Sequence, residues 1–296
     1  MAMTQNQYIE LEANIQKHWD SVHKSERDYR TQLYNMKKSN ISRELHQGFG
    51  TFGQMSPWSG AVNYDRLKLG HENEYRHGKY STGVQVEREL IDFKNYNEIA
   101  SRVKNVSYGV HKTLQSHGVS VLENAFNPAF TGPDGQPLCS NAHLIIPGAD
   151  PQSNLGNLDF SVENLNTTRV RMRQFVDDRG DNMDVQGDFV ICGVELEKEV
   201  AQCLGSDKEA FTAENQKNFY SNMTYLVHPL ITGRKWFLSS KQLIKSGKGL
   251  NWYTARDPRK LERDSDFDTE VLKWKAVGLW SYGWDDFYFI YGNNPA

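Results

Sequence analysis

Apolar residues recur at helical spacing along two long stretches of the chain. Between residues 5 and 38, Tyr8, Leu11, Ile15, Trp19, Val22, Tyr29, Leu33 and Met36 fall at intervals of three and four or their sums, separated mostly by Gln, Glu, Lys, His and Asp. The pattern predicts an amphipathic helix and fits equally a helix packed on its own domain and an arm laid on another chain. Between about 96 and 124, Ile99, Val103, Val106, Val110, Leu114 and Val121 share a narrow stripe, which predicts a helix on the order of 40 Å long. Asn95 with Glu98 three residues later reads as a capping box with Asn in the Ser/Thr place. Gly109 and Gly118 weaken this helix and leave room for a close approach.

Between the two helical patterns the periodicity breaks. Gly48, Gly50 and Gly53 mark a flexible joint, here a predicted hinge. Residues 57–93 then read as a long two-stranded excursion, with period-two alternation at Val62 and Tyr64 and again at Val84 and Val86. Its expected tip, 68–79, is polar and punctuated by glycine. A lone two-stranded hairpin is marginal in water, so this one needs support from its own core or from another chain.

Farther along, Thr131–Leu138 is rich in turn residues, and Ser161 is placed to cap a helix carrying Leu165, Val170, Met172 and Val176. Asp178–Asp181 reads as a turn, Phe189–Cys192 as a short buried strand, and Leu196–Leu204 as a helix ended by Gly205. Strands are expected at Met223–Val227 and Lys235–Leu238, flanking a Pro-Leu-Ile-Thr-Gly turn. Asp257–Asp264 reads as a solvated mixed-charge segment. Two aromatic-rich β runs, Thr269–Trp280 and Asp286–Tyr291, close the pattern, and cross-strand packing accounts for their aromatics without a ligand.

Charge changes little in this picture. Net charge is -3, with seven basic and six acidic residues over 1–47 and nine against eight over 241–296. No segment forms the basic stripe of a nucleic-acid reader. No apolar run nears the roughly 20 residues of a bilayer span. The first residues lack the order of a signal peptide, so a cytoplasmic product is the default expectation. Three widely spaced cysteines, Cys139, Cys192 and Cys203, support neither a zinc ribbon nor a disulfide scaffold, and Cys192 reads as a small buried apolar residue.

Catalytic grammar is sparse. His111 and His117 face different sides of a helix, His71 and His77 flank the expected solvated tip, and His143 and His228 adjoin apolar runs as structural histidines do. Nucleophile-elbow, phosphate-loop and dinucleotide motifs are absent. Asp285 and Asp286, read as strand neighbours, would point to opposite faces. No catalytic, cofactor-binding or metal-ligating residues are therefore assigned. A soluble hydrolase with an unrecognised site stands as the alternative from a different class, distinguished by a monomeric state.

The order of parts resembles the major capsid protein family of tailed bacteriophages, the Hong Kong 97-like fold. The resemblance rests on Asp134–His143, Asn157–Leu165 continuing to Asp178–Gly180, Asp188–Cys192 followed by Leu196–Leu204, and His228–Leu230 through Trp236–Leu238, and it spans about 57–296. It implies an α+β capsid fold. Its parts would be an N-terminal arm over 1–56, an extended loop over 57–93, a spine helix over 94–124, an axial domain over 125–255, and peripheral-domain strands over 256–296. It further implies self-assembly into pentamers and hexamers around double-stranded DNA held without sequence-specific binding. A separate scaffolding protein and a portal would be partners, no membrane would be involved, and assembly in the host cytoplasm would end in the virion. Cys192-Gly193-Val194 departs from the Val-Pro-Pro-like step usual after the buried strand. Arg66, Lys68, Glu72, Glu74, Arg76 and Lys79 are the expected inter-subunit contacts of the loop. Some members crosslink a loop lysine to a neighbour's asparagine, and Lys68, Lys79, Asn293 and Asn294 are the residues available for that here. An encapsulin-type compartment shell, which would enclose protein cargo, and a ring-forming tail or adaptor protein are further alternatives.

Overall fold

The computed structural model describes residues 5–62, 64–205, 218–266 and 271–295, without the side chains of 5–12 and 14. The first helical pattern yields α1 (Gln5–Ser25), then a single turn α2 (Arg30–Leu33) and a strand β1 (Asn35–Lys38). The helix predicted to reach residue 38 thus stops at Ser25, and Met36 belongs to a strand. The side chains of Tyr8 and Leu11 lie outside the described residues. Strands β2 (Arg43–Phe49), β3 (Leu69–Arg76) and β4 (Gly78–Glu87) follow, then the short α3 (Arg88–Asp92) and the long α4 (Tyr96–Glu123). The second helical pattern is met almost residue for residue. Asn95, however, makes no side-chain cap bond.

The remaining elements are β5 (Leu155–Gly156), α5 (Val162–Arg173), β6 (Phe189–Cys192), α6 (Glu197–Leu204), β7 (Thr224–Val227), β8 (Trp236–Ser239), α7 (Lys241–Lys245), β9 (Leu250–Arg256), β10 (Leu261–Asp266), β11 (Val271–Trp284) and β12 (Ile290–Asn293). Ser161 caps α5 as expected, its hydroxyl accepting from the Asn164 N–H at 3.1 Å. The mixed-charge segment is not wholly irregular, because Leu261–Asp266 pairs with β11. The two closing β runs lie in different sheets, and Thr269 and Glu270 of the first lie outside the described residues.

One sheet runs β1-β9-β11-β10, with β4 also on β11; a second runs β5-β12-β8-β6-β7; β2 and β3 form a separate ribbon. The second sheet explains why its strands read as unbroken apolar runs. Phe189, Ile191, Phe237 and Ile290 face a core shared with α4 and the first sheet. Their neighbours Val190, Cys192, Trp236, Leu238 and Tyr291 face a second core with α5 and α6. A sheet buried on both faces loses the polar alternation of a half-exposed one. After β6, a Cβ on Gly193 would run into the Ile231 carbonyl, so this departure from the Val-Pro-Pro-like step is required by packing.

The arm packs on its own chain. Trp19 is fully buried and donates Nε1–H to the Arg259 carbonyl at 2.7 Å, while Ser107 of α4 donates its hydroxyl to the Trp19 carbonyl at 3.1 Å. Arg30 is also buried, forked onto Asp28 at 2.9 and 2.7 Å and lying 4.7 Å over the Trp252 ring. Gly118 makes room for it, since a Cβ there would sit 2.6 Å from Arg30 Cγ. The close approach foreseen at Gly118 is thus made by a side chain.

Replacing Trp19 by Ala should destabilise the subunit by about 3–5 kcal/mol, the usual cost of deleting a fully buried aromatic. Urea unfolding measures it, and a loss below about 1 kcal/mol would mean that α1 is not docked on α4 in solution.

Candidate assembly site

The two strands expected to pair across 57–93 pair elsewhere. β3 runs antiparallel to β2, with Glu44 opposite Tyr75 and His46 opposite Asn73, whereas β4 pairs with β11. The extended hairpin is therefore 43–76, and its tip is 50–68 rather than 68–79. The alternation that would reveal β2 and β3 is missing because their one buried position is Tyr75 and their half-buried ones include Glu44, His46 and Asn73, while Leu45, Phe49 and Leu69 are exposed. Val62 and Tyr64 lie in the tip instead of a strand.

The base of the hairpin is fixed by one carboxylate. Asp285, just beyond β11, accepts from His46 Nδ1 at 2.9 Å, Asn73 Nδ2 at 2.8 Å, the Tyr75 hydroxyl at 2.6 Å and Asn251 Nδ2 at 2.9 Å. The Tyr253 hydroxyl closes the ring on His46 Nε2 at 2.8 Å. Burial alone would raise the Asp285 pKa, but the bonds from His46, Tyr75 and Asn73 overcome it and hold the carboxyl below its ordinary value. Burial and the Asp285 charge push the Tyr75 hydroxyl well upward, so it remains a donor.

The bases of β3 and β4 are also tied down by histidines. His71 Nε2 meets the Leu144 carbonyl at 3.0 Å, and His77 bridges the Ser281 and Ser39 hydroxyls at 2.9 Å each. Both are bonded to the body, contrary to the expected solvated tip. His143 is a structural histidine as expected, stacked on Phe287 at 4.3 Å and paired with Asp134 at 2.6 Å. Under the hairpin lies a cavity of about 570 Å3 whose lining includes His46, His71, Lys248, Asp285 and Asp286. Asp285 and Asp286 follow β11 rather than lying in a strand. Asp286 accepts from the Tyr288 hydroxyl at 2.9 Å, and burial, with the Asp285 charge, raises its pKa to about 6.

Of the residues predicted as loop contacts, Arg66 and Lys68 lie on the tip, exposed. Glu72, Glu74 and Arg76 lie on β3, where Glu74 binds Arg43 and Arg76, each at 3.0 Å. Lys79 lies exposed on β4, outside the hairpin. Gly48 sits at a β-bulge opposite Gly70, Gly50 is buried against Asp178, and the Gly53 N–H donates to Asp65 at 3.1 Å. The residues missed by the sequence reading are the exposed apolar ones. Phe49, Phe52, Met55, Trp58, Val62, Tyr64, Leu67 and Leu69 all stand in solvent, Met55 being 99% and Tyr64 88% exposed. The signal for them was visible as an apolar stretch with only Asp65 and Arg66 charged between 51 and 67. Asn293 is fully buried and donates to Thr168, so its amide is not open to a neighbour's lysine.

Among the described residues no group of three or more His, Cys, Asp or Glu could hold a metal, and no helix is long and apolar enough to cross a membrane. What the molecule offers instead is a firmly based hairpin with an apolar tip turned outward, the build of a structural protein that meets other chains. A family model described as "Phage capsid protein" matches residues 72–293, and the chain belongs to that family.

Solved structures agree in fold. The bacteriophage PhiM1 mature capsid aligns with 92% of this chain and 87% of its own at 7% identity and a TM-score of 0.59. The bacteriophage JBD30 procapsid aligns with 99% and 77% at 12% identity and 0.56. A virus-like particle from Pyrococcus furiosus aligns with 96% and 97% at 7% identity and 0.52. No curated protein matches the sequence. The chain is a capsid shell protein, and the family match favours a phage shell over a compartment shell.

The raised pKa of Asp286 has a consequence for stability. Between the ordinary 3.8 and about 6 the folded chain holds a proton that the unfolded chain has lost, so this contribution falls as pH rises through that window and stays lost above it. Asp286→Asn should therefore stabilise the subunit at about pH 7.5 by up to roughly 2–3 kcal/mol and leave it nearly unchanged near pH 4. Urea titrations at the two pH values check this; an equal offset at both would show that Asp286 does not carry the shift.

Proposed function

We infer that this chain is the major head-shell protein of a tailed double-stranded DNA bacteriophage and adopts the Hong Kong 97-like arrangement, closing into pentamers and hexamers of an icosahedral shell. The family match over 72–293 carries this reading. The proposed axial domain is 125–255, and the proposed peripheral domain joins the spine helix over 94–124 to the strands of 256–296. Leu250–Arg256 pairs in the first sheet and Ile290–Asn293 in the second, so strands cross between the two parts. The role is structural rather than enzymatic, in keeping with the absence of nucleophile and phosphate-loop motifs.

The β2–β3 hairpin is the proposed inter-subunit contact. Six large apolar side chains on one loop, with Phe49 and Leu69 at the strand ends beside it, are more than scattered surface residues and call for cover. Arg66 and Lys68 on the tip, Glu72, Glu74 and Arg76 on β3, and Lys79 on β4 would frame that contact. Repeated around symmetry axes, weak heterologous contacts sum to a stable shell. Gly48, Gly50 and Gly53 lie where the ribbon passes into the tip, and small changes there would let one sequence fit non-equivalent positions. The balanced charge suits a container whose double-stranded DNA is held without sequence-specific contacts. A separate scaffolding protein and a portal are the further proposed partners, with assembly in the host cytoplasm.

Negative-stain micrographs of the purified protein should show closed shells or their pentamers and hexamers, and a solely monomeric protein would overturn the shell reading. Replacing residues 52–66 by a short Gly-Ser linker should leave a folded subunit by circular dichroism and abolish the particles. Normal particles from that variant would assign the contact to another surface.

A further inference from the structure

The hairpin tip is tied to one turn of the body by polar contacts that belong to neither apolar core. Thr51 donates its backbone N–H to Asp178 Oδ1 at 2.7 Å and its hydroxyl to Asp177 Oδ2 at 2.6 Å. Arg179 donates Nε–H to the Thr51 carbonyl at 2.8 Å and pairs with Asp65 of the tip. Gln54 donates to Asp181 at 3.2 Å. The turn is preformed, since Asp177 Oδ1 accepts the N–H groups of Arg179 at 2.8 Å and Asp181 at 3.0 Å, with Gly180 at φ 85°.

Asp178 is the centre of this arrangement. Its side chain has no solvent exposure, and Lys68 Nζ stands 3.8 Å from Oδ2. A Cβ on Gly50 would lie 2.7 Å from that oxygen, so only glycine allows the tip to come this close. The bonds from Thr51 hold Asp178 below the ordinary carboxylate range against the opposing effect of burial. The same contacts leave the apolar side chains of the tip facing solvent.

We propose that the Asp177–Asp181 turn is a positioning latch for assembly, holding the hairpin tip in one orientation so that a neighbouring copy meets an ordered apolar surface. Thr51, Asp178 and Arg179 are its positioning residues. A loop ordered in advance does not lose that freedom on binding, and this raises affinity without adding an intermolecular contact. The inference rests on the reading of the hairpin as the inter-subunit contact.

The test compares the full chain with Thr51→Val/Arg179→Ala and with the conservative Thr51→Ser. Three quantities are read: the melting temperature of the free subunit, hydrogen exchange of the Thr51 and Gly53 amides, and the critical concentration for shell formation by light scattering. The double variant should melt as the parent does, exchange faster at both amides, and need about tenfold more protein to assemble, the equivalent of ~1.4 kcal/mol of contact energy. Thr51→Ser should behave as the parent. An unchanged or lower critical concentration with faster exchange would overturn the latch.

A second pair, Thr51→Cys with Asp178→Cys, reads the same question should the first variant misfold. Locked by oxidation, it should assemble at least as well as when reduced, and assembly only after reduction would mean that the tip has to leave the turn. Failure of the parent chain to form shells, pentamers or hexamers at any concentration would instead sink the shell reading itself.

Discussion

A sheet buried on both faces is the constraint from which most of this molecule follows. Strands β6, β8 and β12 give alternate side chains to two cores, so neither core is complete without the same backbone. Every buried backbone group in such a sheet must be paired within it, and the order β5-β12-β8-β6-β7 achieves this with strands drawn from residues 155 to 293. The long helix α4 shares one of the two cores with the first sheet, which couples the helix to the second sheet through direct packing. Rigidity at this centre lets a surface ribbon such as β2–β3 be held in a defined place.

The ribbon is held by polar bonds together with the packing of the buried Tyr75 ring on Tyr253 and His46. At its base Asp285 gathers four donors from β2, β3 and β9, and a half-buried carboxylate with that many donors is costly to disturb. At its tip the Asp177–Asp181 turn supplies a second, smaller set of polar bonds through Asp177, Asp178 and Arg179. Between the two moorings is a cavity whose raised carboxyl, Asp286, makes the underside of the hairpin sensitive to protons over a mildly acidic range.

Much of this was legible in the residues. The stripe from Ile99 to Val121 located α4, Ser161 located the start of α5, and Phe189–Cys192 announced a strand without polar alternation. The ordered signatures from Asp134 to Leu238 carry the resemblance to the capsid family. The hairpin was found but misplaced, because Tyr75, His46 and Asn73 bury polar atoms that periodicity counts as exposed. The end of α1 was hidden too. Tyr29, Leu33 and Met36 continue the helical spacing, yet the helix stops at Ser25, and beyond it Arg30 is buried against Asp28 and the Trp252 ring in a separate turn. The latch could not be read at all, since Thr51 and Asp178 are distant in sequence and ordinary in type.

The mooring of the hairpin also sets an order in time. The ribbon is synthesised as residues 43–76, but its anchor is Asp285, and the strand that completes the β8 edge is Ile290–Asn293. Such long-range closures are slow and come late in folding. A chain emerging from the ribosome therefore has the base of its ribbon unanchored until Asp285 has been made, although the turn that receives the tip, Asp177–Asp181, is made earlier. A chain cut short of Asp285 lacks the carboxylate that gathers His46, Asn73 and Tyr75, so the ribbon and its mooring exist together only late in synthesis.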